Sequence, residues 1–190
     1  MTNPTLAVIV GSNRRESLNR KLAQGIAKLA AGQFDVKFIQ IDDLPIYNQD
    51  LETAPPAAVT RFKSEVSKAD ALLFVTPEHN RSVSTLMKNA IDWGSRPYGQ
   101  SVWGGKAAFV TGTSPGAIGT ALAQENLRLM LNFLGTVTLP AEAYITFKPG
   151  LVDDAGEFTD ETTGQFLQGF VDKLAALTAR LAPAAQRSAA

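Results

Sequence analysis

Short runs of apolar residues, many of them β-branched, recur along the sequence, and each is followed by residues with apolar side chains at helical spacing. Runs of this length and composition predict buried β-strands. The predicted strands are Leu6–Val10, Val36–Ile41, Ala71–Val75, Lys106–Val110 and Val137–Ile145, the last broken by Pro140. The predicted helices are Asn19–Ala31, Ala57–Lys68, Ser84–Trp93, Ala117–Leu134 and Thr162–Leu181. Strands and helices therefore alternate throughout, as in α/β proteins.

The central strands are apolar throughout instead of alternating with polar residues, which is typical of a parallel sheet covered by helices on both faces. Right-handed crossovers leave few topologies, and the strand order 2-1-3-4-5 is common for a chain of this size. We predict a three-layer α/β/α sandwich, formed as a single domain over residues 1–190 with a disordered tail from about residue 183. Ligands of such sheets bind beyond the carboxyl ends of strands 1 and 3.

Cysteine content and charge exclude several classes of function. The sequence has no cysteine and one histidine, which excludes disulfides, thiolate nucleophiles, iron–sulfur clusters and histidine-rich metal centres. Lys plus Arg and Asp plus Glu number 18 each, so no long-range field favours nucleic acid or an anionic membrane. No apolar run approaches the roughly 20 residues that span a bilayer. We expect a cytoplasmic protein that binds neither nucleic acid nor membrane, and whose chemistry needs an organic cofactor or carboxylate and hydroxyl groups.

The loop after the first strand supplies groups that bind phosphate. It offers the hydroxyls of Ser12 and Ser17, the guanidinium of Arg14 or Arg15, and the amide of Asn19. The loop leads into a helix, and the free N–H groups and dipole of a helix N-terminus favour an anion. The alternative is that Ser17 or Asn19 only caps the helix while both arginines are solvated.

Two other loops are predicted to lie at the same edge of the sheet. Pro77–Val83 follows the third strand and can present backbone amides and polar side chains to a planar heterocycle. Within it, His79 could equally be an ordinary loop histidine. Glu78 could equally be a solvated charge. Gly112–Gly119 follows the fourth strand, but its glycine spacing does not match the dinucleotide fingerprint G-x-G-x-x-G. An integral Rossmann site for NAD is therefore not expected.

Several motifs stand in a fixed order between Val8 and about Gly135. They are Gly11-Ser12 with Arg14, Ser17 and Asn19; Leu44-Pro45 and Tyr47-Asn48; Thr76-Pro77-Glu78 with Asn80; the run from Lys88 to Trp93; Arg96-Pro97; and the run from Ser114 to Ala117. In this combination the sequence resembles the NADPH-dependent FMN reductase family, which includes bacterial chromate, quinone and azo reductases. The resemblance implies a flavodoxin-like fold and tightly bound FMN.

The resemblance also implies which residues bind FMN. Those at the phosphate are Ser12, Arg14, Ser17, Leu18 and Asn19. Those along the ribityl chain and the isoalloxazine are Pro77, Glu78, His79, Asn80 and Ser82, and those at the far edge are Ser114 and Gly116. The family commonly has tyrosine at the position of His79, a departure that bears on the potential of the flavin.

The function implied by the resemblance is that of an NAD(P)H-dependent reductase. NADPH or NADH passes hydride to the flavin, and a quinone, azo compound, chromate or flavin then accepts the electrons in a ping-pong cycle. Because rate comes from proximity and orientation, no catalytic side chain is nominated. One alternative is a flavodoxin-type electron carrier, although such carriers tend to be strongly acidic. Another is an FMN-free binding domain on the same scaffold.

A homodimer or homotetramer is expected from two long loops, residues 42–56 and 94–105. Both carry more apolar and aromatic residues than solvated loops usually do. The alternative is that they fold back on their own domain. The resemblance implies that the loop with Arg96 and Tyr98 approaches the flavin of a partner. It also implies that Arg128 and Glu142 meet where two dimers touch.

Overall fold

A computed structural model describes residues 3–182, so the predicted disordered tail lies outside the described residues. The strands are β1 Thr5–Val10, β2 Asp35–Ile39, β3 Ala71–Val75, β4 Glu78–His79, β5 Ser82–Val83, β6 Ala107–Ser114, β7 Val137–Thr138 and β8 Ala143–Thr146. The helices are α1 Leu18–Ala30, α2 Ala57–Ser67, α3 Thr85–Ser95, α4 Ala121–Phe133 and α5 Glu161–Leu181, with a short 3₁₀ helix at Gln49–Leu51. Within residues 3–182, no helix is long and apolar enough to cross a membrane.

The main sheet is parallel and confirms the predicted flavodoxin-like order. Its strands follow the sequence β2-β1-β3-β6, and both β7 and β8 pair in parallel with the outer side of β6. Successive residues of each strand face opposite layers. Val8 packs in the layer of α1 and α5, whereas Ile9 packs in the layer of α2, α3 and α4. The helices therefore cover both faces of the sheet, as the apolar strands predict.

The fifth strand is divided in two. β7 pairs with the start of β6 and β8 with its end, and the residues between them, including Pro140, leave the sheet. Proline has no N–H to donate to a neighbouring strand, which accounts for the interruption. The division keeps two short segments in register with one long strand.

The side chain of Arg128, in α4, connects the residues on both sides of this interruption. Its side chain is buried, and its guanidinium donates to the carbonyl oxygens of Leu139 at 2.7 Å, Ala141 at 2.6 Å and Val110 at 3.2 Å. These bonds satisfy carbonyl groups that strand pairing leaves open. The implied contact of Arg128 with Glu142 between dimers remains a prediction, but both terminal nitrogens of the guanidinium already donate within their own chain.

β6 is longer, and α4 shorter, than predicted. The turn predicted from Gly112 is wrong for its first residues, because β6 continues to Ser114 in pairing with β8. Gly112 fits there because a Cβ atom would lie 2.0 Å from the carbonyl oxygen of Thr76. The chain then turns at Gly119, whose φ is 59°, and α4 begins at Ala121.

The predicted polar loop after β3 contains a small antiparallel hairpin formed by β4 and β5. Asn80 and Arg81 form its two-residue turn, with φ values of 51° and 66°. Two successive residues in the left-handed region are the requirement of a type I′ turn, which fits the twist of a hairpin. The hairpin carries His79 to the edge of the sheet where β1, β3 and β6 end.

Candidate functional site

A cleft of about 650 Å³ lies beyond the carboxyl ends of β1, β3 and β6. This volume is within the range of small-molecule sites. Nine of the twelve predicted site residues line it, namely Ser12, Arg14, Ser17, Leu18, Asn19, Pro77, Glu78, His79 and Ser114. Further lining residues, which are not among the predicted FMN-binding residues, are Gly11, Asn13, Leu44, Ile46, Ser84, Thr85, Leu86, Asn89, Thr113 and Pro115. The three predicted loops thus meet at one place.

Three predicted residues are not among those that line the cleft. Asn80 lies at the exposed tip of the hairpin, and Gly116 is exposed in the turn after β6. Ser82 lines a neighbouring cavity instead. Their contact with a cofactor remains a prediction.

Ser17 lines the cleft at the N-terminus of α1. Its buried Oγ accepts a hydrogen bond from the backbone N–H of Arg20 at 3.1 Å, so Ser17 is the cap of this helix. A hydroxyl that accepts one bond still has its own hydrogen to donate. The two proposed roles of Ser17, helix cap and phosphate donor, are therefore compatible.

Asn19 holds the start of α1 against β6. Its Nδ2 donates to the carbonyl oxygen of Thr113 at 3.0 Å, and its Oδ1 accepts from the N–H of Thr113 at 2.9 Å. Both ends of the buried amide are used in this pair, so the side chain positions the loop. The group that Asn19 offers an anion is its backbone N–H in the first helical turn.

Arg14 brings a positive charge to the cleft without an internal partner. Its side chain is exposed, and among residues 3–182 it has no hydrogen bond or ion pair, whereas the neighbouring Glu16 pairs with Lys21 at 3.4 Å. A free guanidinium near the N-terminus of a helix is well suited to a dianionic phosphate. This end of the cleft therefore has the chemistry of a phosphate site.

Glu78 directs its carboxylate away from the cleft and toward α4. Oε2 accepts hydrogen bonds from the backbone N–H groups of Leu122 at 3.0 Å and Ala123 at 3.2 Å, and Oε1 lies 3.6 Å from Arg81. A carboxylate at a helix N-terminus is stabilised by the helix dipole. Glu78 is thus a cap of α4 as well as a residue that lines the cleft.

The loop that contributes Ile46 to the cleft is fixed by two side chains of α3. The carbonyl oxygen of Pro45 accepts from Asn89 Nδ2 at 2.9 Å and from Trp93 Nε1 at 2.8 Å. The N–H of Tyr47 donates to Asn89 Oδ1 at 2.8 Å. The signal for this arrangement in the sequence is the apolar content of residues 42–56 together with the run from Lys88 to Trp93.

A polar cluster joins this loop to the one after α3. Tyr47 donates its hydroxyl to Glu52 Oε1 at 2.5 Å, and Arg96 Nε donates to the same oxygen at 2.8 Å. The bond from Tyr47, and secondly that from Arg96, lowers the pKa of the Glu52 carboxyl. The hydrogen bond to Glu52 raises the pKa of Tyr47, so its hydroxyl keeps its proton. The cluster ties together both loops predicted to lie at an interface.

The sheet order, the cleft at the ends of β1 and β3, and the positively charged end of the cleft at α1 are those of a nucleotide-binding protein of the flavodoxin-like class. Residues 4–149 match the NADPH-dependent FMN reductase family, and the chain belongs to this family. FMN and NAD(P)H are its cofactors.

Two relatives and one solved structure are similar over most of the chain. A quinone reductase from Pseudomonas putida is 51% identical over 173 residues, which cover 90% of this chain and 92% of the relative. A 2-hydroxy-1,4-benzoquinone reductase from Burkholderia is 47% identical, with 90% and 94% covered. The structure of FerB, a flavoenzyme NAD(P)H:(acceptor) oxidoreductase from Paracoccus denitrificans, superposes with a TM-score of 0.89 at 48% identity, covering 93% of this chain and 98% of that one.

Proposed function

We propose that this protein is an FMN-dependent oxidoreductase that uses NADPH or NADH to reduce quinones. The observation that carries the proposal is the cleft, which combines a phosphate-binding end at α1 with an apolar rim at Leu44 and Ile46. The similarity to two bacterial quinone reductases near 50% identity supports the choice of acceptor. The end of the cleft at α1 thus fits the phosphate of a planar cofactor, and the apolar rim fits an apolar, planar substrate.

When bound, FMN supplies the two-electron chemistry, with hydride taken from the nicotinamide and electrons given to the acceptor. The residues of the chain bind and orient the reactants. Arg14 and the hydroxyl of Ser17 hold the phosphate at the start of α1. The backbone from Pro77 to His79 and the end of β6 at Ser114 border the planar ring. We assign the rate to proximity and orientation, with no side chain acting as acid or base.

We propose a ping-pong cycle in which the nicotinamide leaves before the acceptor enters the same cleft. The cleft has a volume of about 650 Å³ and has to hold FMN as well as a reactant, which supports alternate occupation by nicotinamide and acceptor. Steady-state rates measured over a grid of NADPH and quinone concentrations should give parallel double-reciprocal lines. Intersecting lines would show that both reactants bind together. Azo compounds, chromate and free flavin are proposed as further acceptors and belong in the same assay.

The cofactor itself can be tested before any assay. Flavin released by heating the purified protein should migrate as FMN, because the cleft ends in a site for a terminal phosphate. NADPH should bleach the bound flavin under nitrogen, and a quinone should restore its colour. Recovery of FAD, or no flavin after reconstitution, would contradict the cofactor. Bleaching without turnover of any acceptor would instead favour an electron carrier.

We propose that the working unit is a homodimer or a homotetramer. Loops 42–56 and 94–105 bury Leu44 and Trp103 but leave Tyr98 91% exposed, and α4 leaves Phe133 88% exposed. Large exposed apolar side chains of this kind mark interaction surfaces. Light scattering should report two or four times the chain mass of 20.3 kDa. A fully active monomer would refute the assembly.

A cytoplasmic location also remains a prediction, which cell fractionation would test.

A further inference from the structure

Ile46 is an apolar side chain placed at the mouth of the cleft. It is 72% exposed, and it lines both the cleft and a second cavity of about 540 Å³ beside it, here called the flank cavity. The flank cavity is lined by Ile46, Tyr47, Ser82, Val83, Thr85, Lys88, Asn89, Asp92, Asn126, Leu129 and Met130. Ile46 therefore stands at the junction of the two spaces.

The backbone on both sides of Ile46 is fixed. Pro45 and Tyr47 together form three hydrogen bonds with the buried side chains of Asn89 and Trp93, at 2.8 to 2.9 Å. A loop whose only task is connection does not need such fixation, and an isoleucine in such a loop gains nothing from exposure to water. The bonds hold an apolar group in one place where the cleft opens.

We propose that Ile46 is an acceptor-binding residue whose side chain packs against the ring system of a quinone in the cleft and favours larger quinones. This inference rests on the proposed function. A planar hydrocarbon ring over Ile46 removes apolar surface of both partners from water. Because the loop is already fixed, little conformational entropy is lost when the ring binds.

The flank cavity gives the reason why larger acceptors should depend on Ile46 most. Beyond Ile46 the space continues into the flank cavity, where Val83 and Met130 add apolar lining. We infer that a second fused ring has room there, whereas a single ring reaches Ile46 alone. Lys88 and Asp92 also line this cavity, and their charged groups are paired with each other at 2.7 Å. The contact with Ile46 therefore grows with the length of the ring system.

Binding can be tested without turnover. The FMN-loaded protein is titrated calorimetrically with 1,4-dimethoxynaphthalene, a planar ring system that accepts no electrons from it. Ile46→Ala should weaken binding about tenfold, the range found when a few methyl or methylene groups leave an apolar contact. Ile46→Val should restore most of the affinity. The matched control is Phe38→Ala, an exposed apolar residue of β2 that lines neither cavity and should leave the affinity unchanged.

The kinetic test uses the reduced protein mixed anaerobically with three acceptors. In Ile46→Ala, the rate constant should fall about tenfold for 2-methyl-1,4-naphthoquinone, less for 1,4-benzoquinone, and not at all for ferricyanide, which has no ring to pack. Equal losses with all three, loss of FMN, or a faster reaction with the naphthoquinone would overturn the inference. If the wild-type protein reduces no quinone at all, the proposed function fails as well.

Discussion

The two loops that border the cleft are built in opposite ways. In the loop between β1 and α1, residues 13–16 are exposed, and within the described part of the chain Arg14 has no partner. In the loop after β2, the backbone around Ile46 is fixed by Asn89 and Trp93, and Tyr47 is tied to Glu52. The first loop keeps the guanidinium of Arg14 free, whereas the second uses its polar groups internally and leaves an apolar side chain exposed.

The difference follows from what each loop is proposed to bind. A phosphate is held by charged and N–H groups, and any internal partner would compete with it. An apolar ring offers no hydrogen bonds, so the surface that receives it has to be positioned by the protein alone. Substitutions in the open loop should therefore change ligand binding, and substitutions that release the fixed loop should change stability.

The largest effect is expected for Asn89→Ala. The change removes the bonds to Pro45 and Tyr47 and leaves the Tyr47 N–H without its partner. Loss of these bonds, with one donor left unsatisfied, should lower the free energy of unfolding by about 3 kcal/mol. Urea denaturation measures this value, and faster hydrogen exchange of the Tyr47 amide would locate the change. Asn132→Ala is the control, because this exposed amide bonds only to the Thr138 hydroxyl among the described residues.

Arg14→Ala should weaken cofactor binding and leave stability almost unchanged, which is the opposite of Asn89→Ala. The affinity for FMN should fall about tenfold or more, since hydrogen bonds to charged groups contribute about 1.5–3 kcal/mol. Riboflavin, which lacks the phosphate, should bind as before. The stability of the FMN-free protein should stay within about 0.5 kcal/mol, because Arg14 has no internal partner. Arg15→Ala is the control, as Arg15 is exposed next to Arg14 but does not line the cleft. Equal losses in both variants would show a general charge effect.

The sequence predicts the open loop far better than the fixed one. Ser12, Arg14 and Ser17 lie between a strand and a helix, and that local order alone places them at the sheet edge where ligands bind. The parallel sheet is equally visible, since runs such as Ala71–Val75 are apolar throughout. Features that depend on residues close together in the sequence can therefore be predicted from it.

Features that depend on contacts between residues far apart in the sequence are not predicted from it. Asn89 is separated from Tyr47 by 42 positions, and Glu78 from the α4 amide of Leu122 by 44. The extension of β6 likewise depends on its pairing with β8, for example through the bond of the Thr113 hydroxyl to the carbonyl oxygen of Ile145. Local propensity favours a turn at the glycine there, and tertiary pairing overrides it.

Glu52→Gln tests the fixed loop through pH. The carboxyl of Glu52 has a pKa below its ordinary value of 4.5 in the folded chain, mainly because Tyr47 donates to it and then because of Arg96. Its contribution to stability is therefore present above about pH 4.5 and is lost as the pH falls through the lower, folded pKa. Denaturation in urea from pH 6 to pH 3 should show a smaller loss of stability in Glu52→Gln than in the wild type. Glu16→Gln, in the open loop, should leave the wild-type slope in place.

His79→Tyr is expected to have the smallest effect, and it probes the third border of the cleft. His79 is exposed on β4 and lines the cleft, and within residues 3–182 it has no hydrogen bond or ion pair. Its removal should therefore leave both stability and FMN affinity unchanged. An imidazole and a phenol offer different hydrogen-bonding groups to a flavin at this position. We expect a shifted midpoint potential for the bound flavin in the variant. Anaerobic redox titration against reference dyes measures this, with Phe38→Tyr as a control that adds a phenol outside the cleft. Identical potentials in the variant and the wild type would mean that His79 is an ordinary exposed histidine, and that its side chain contributes nothing to the site.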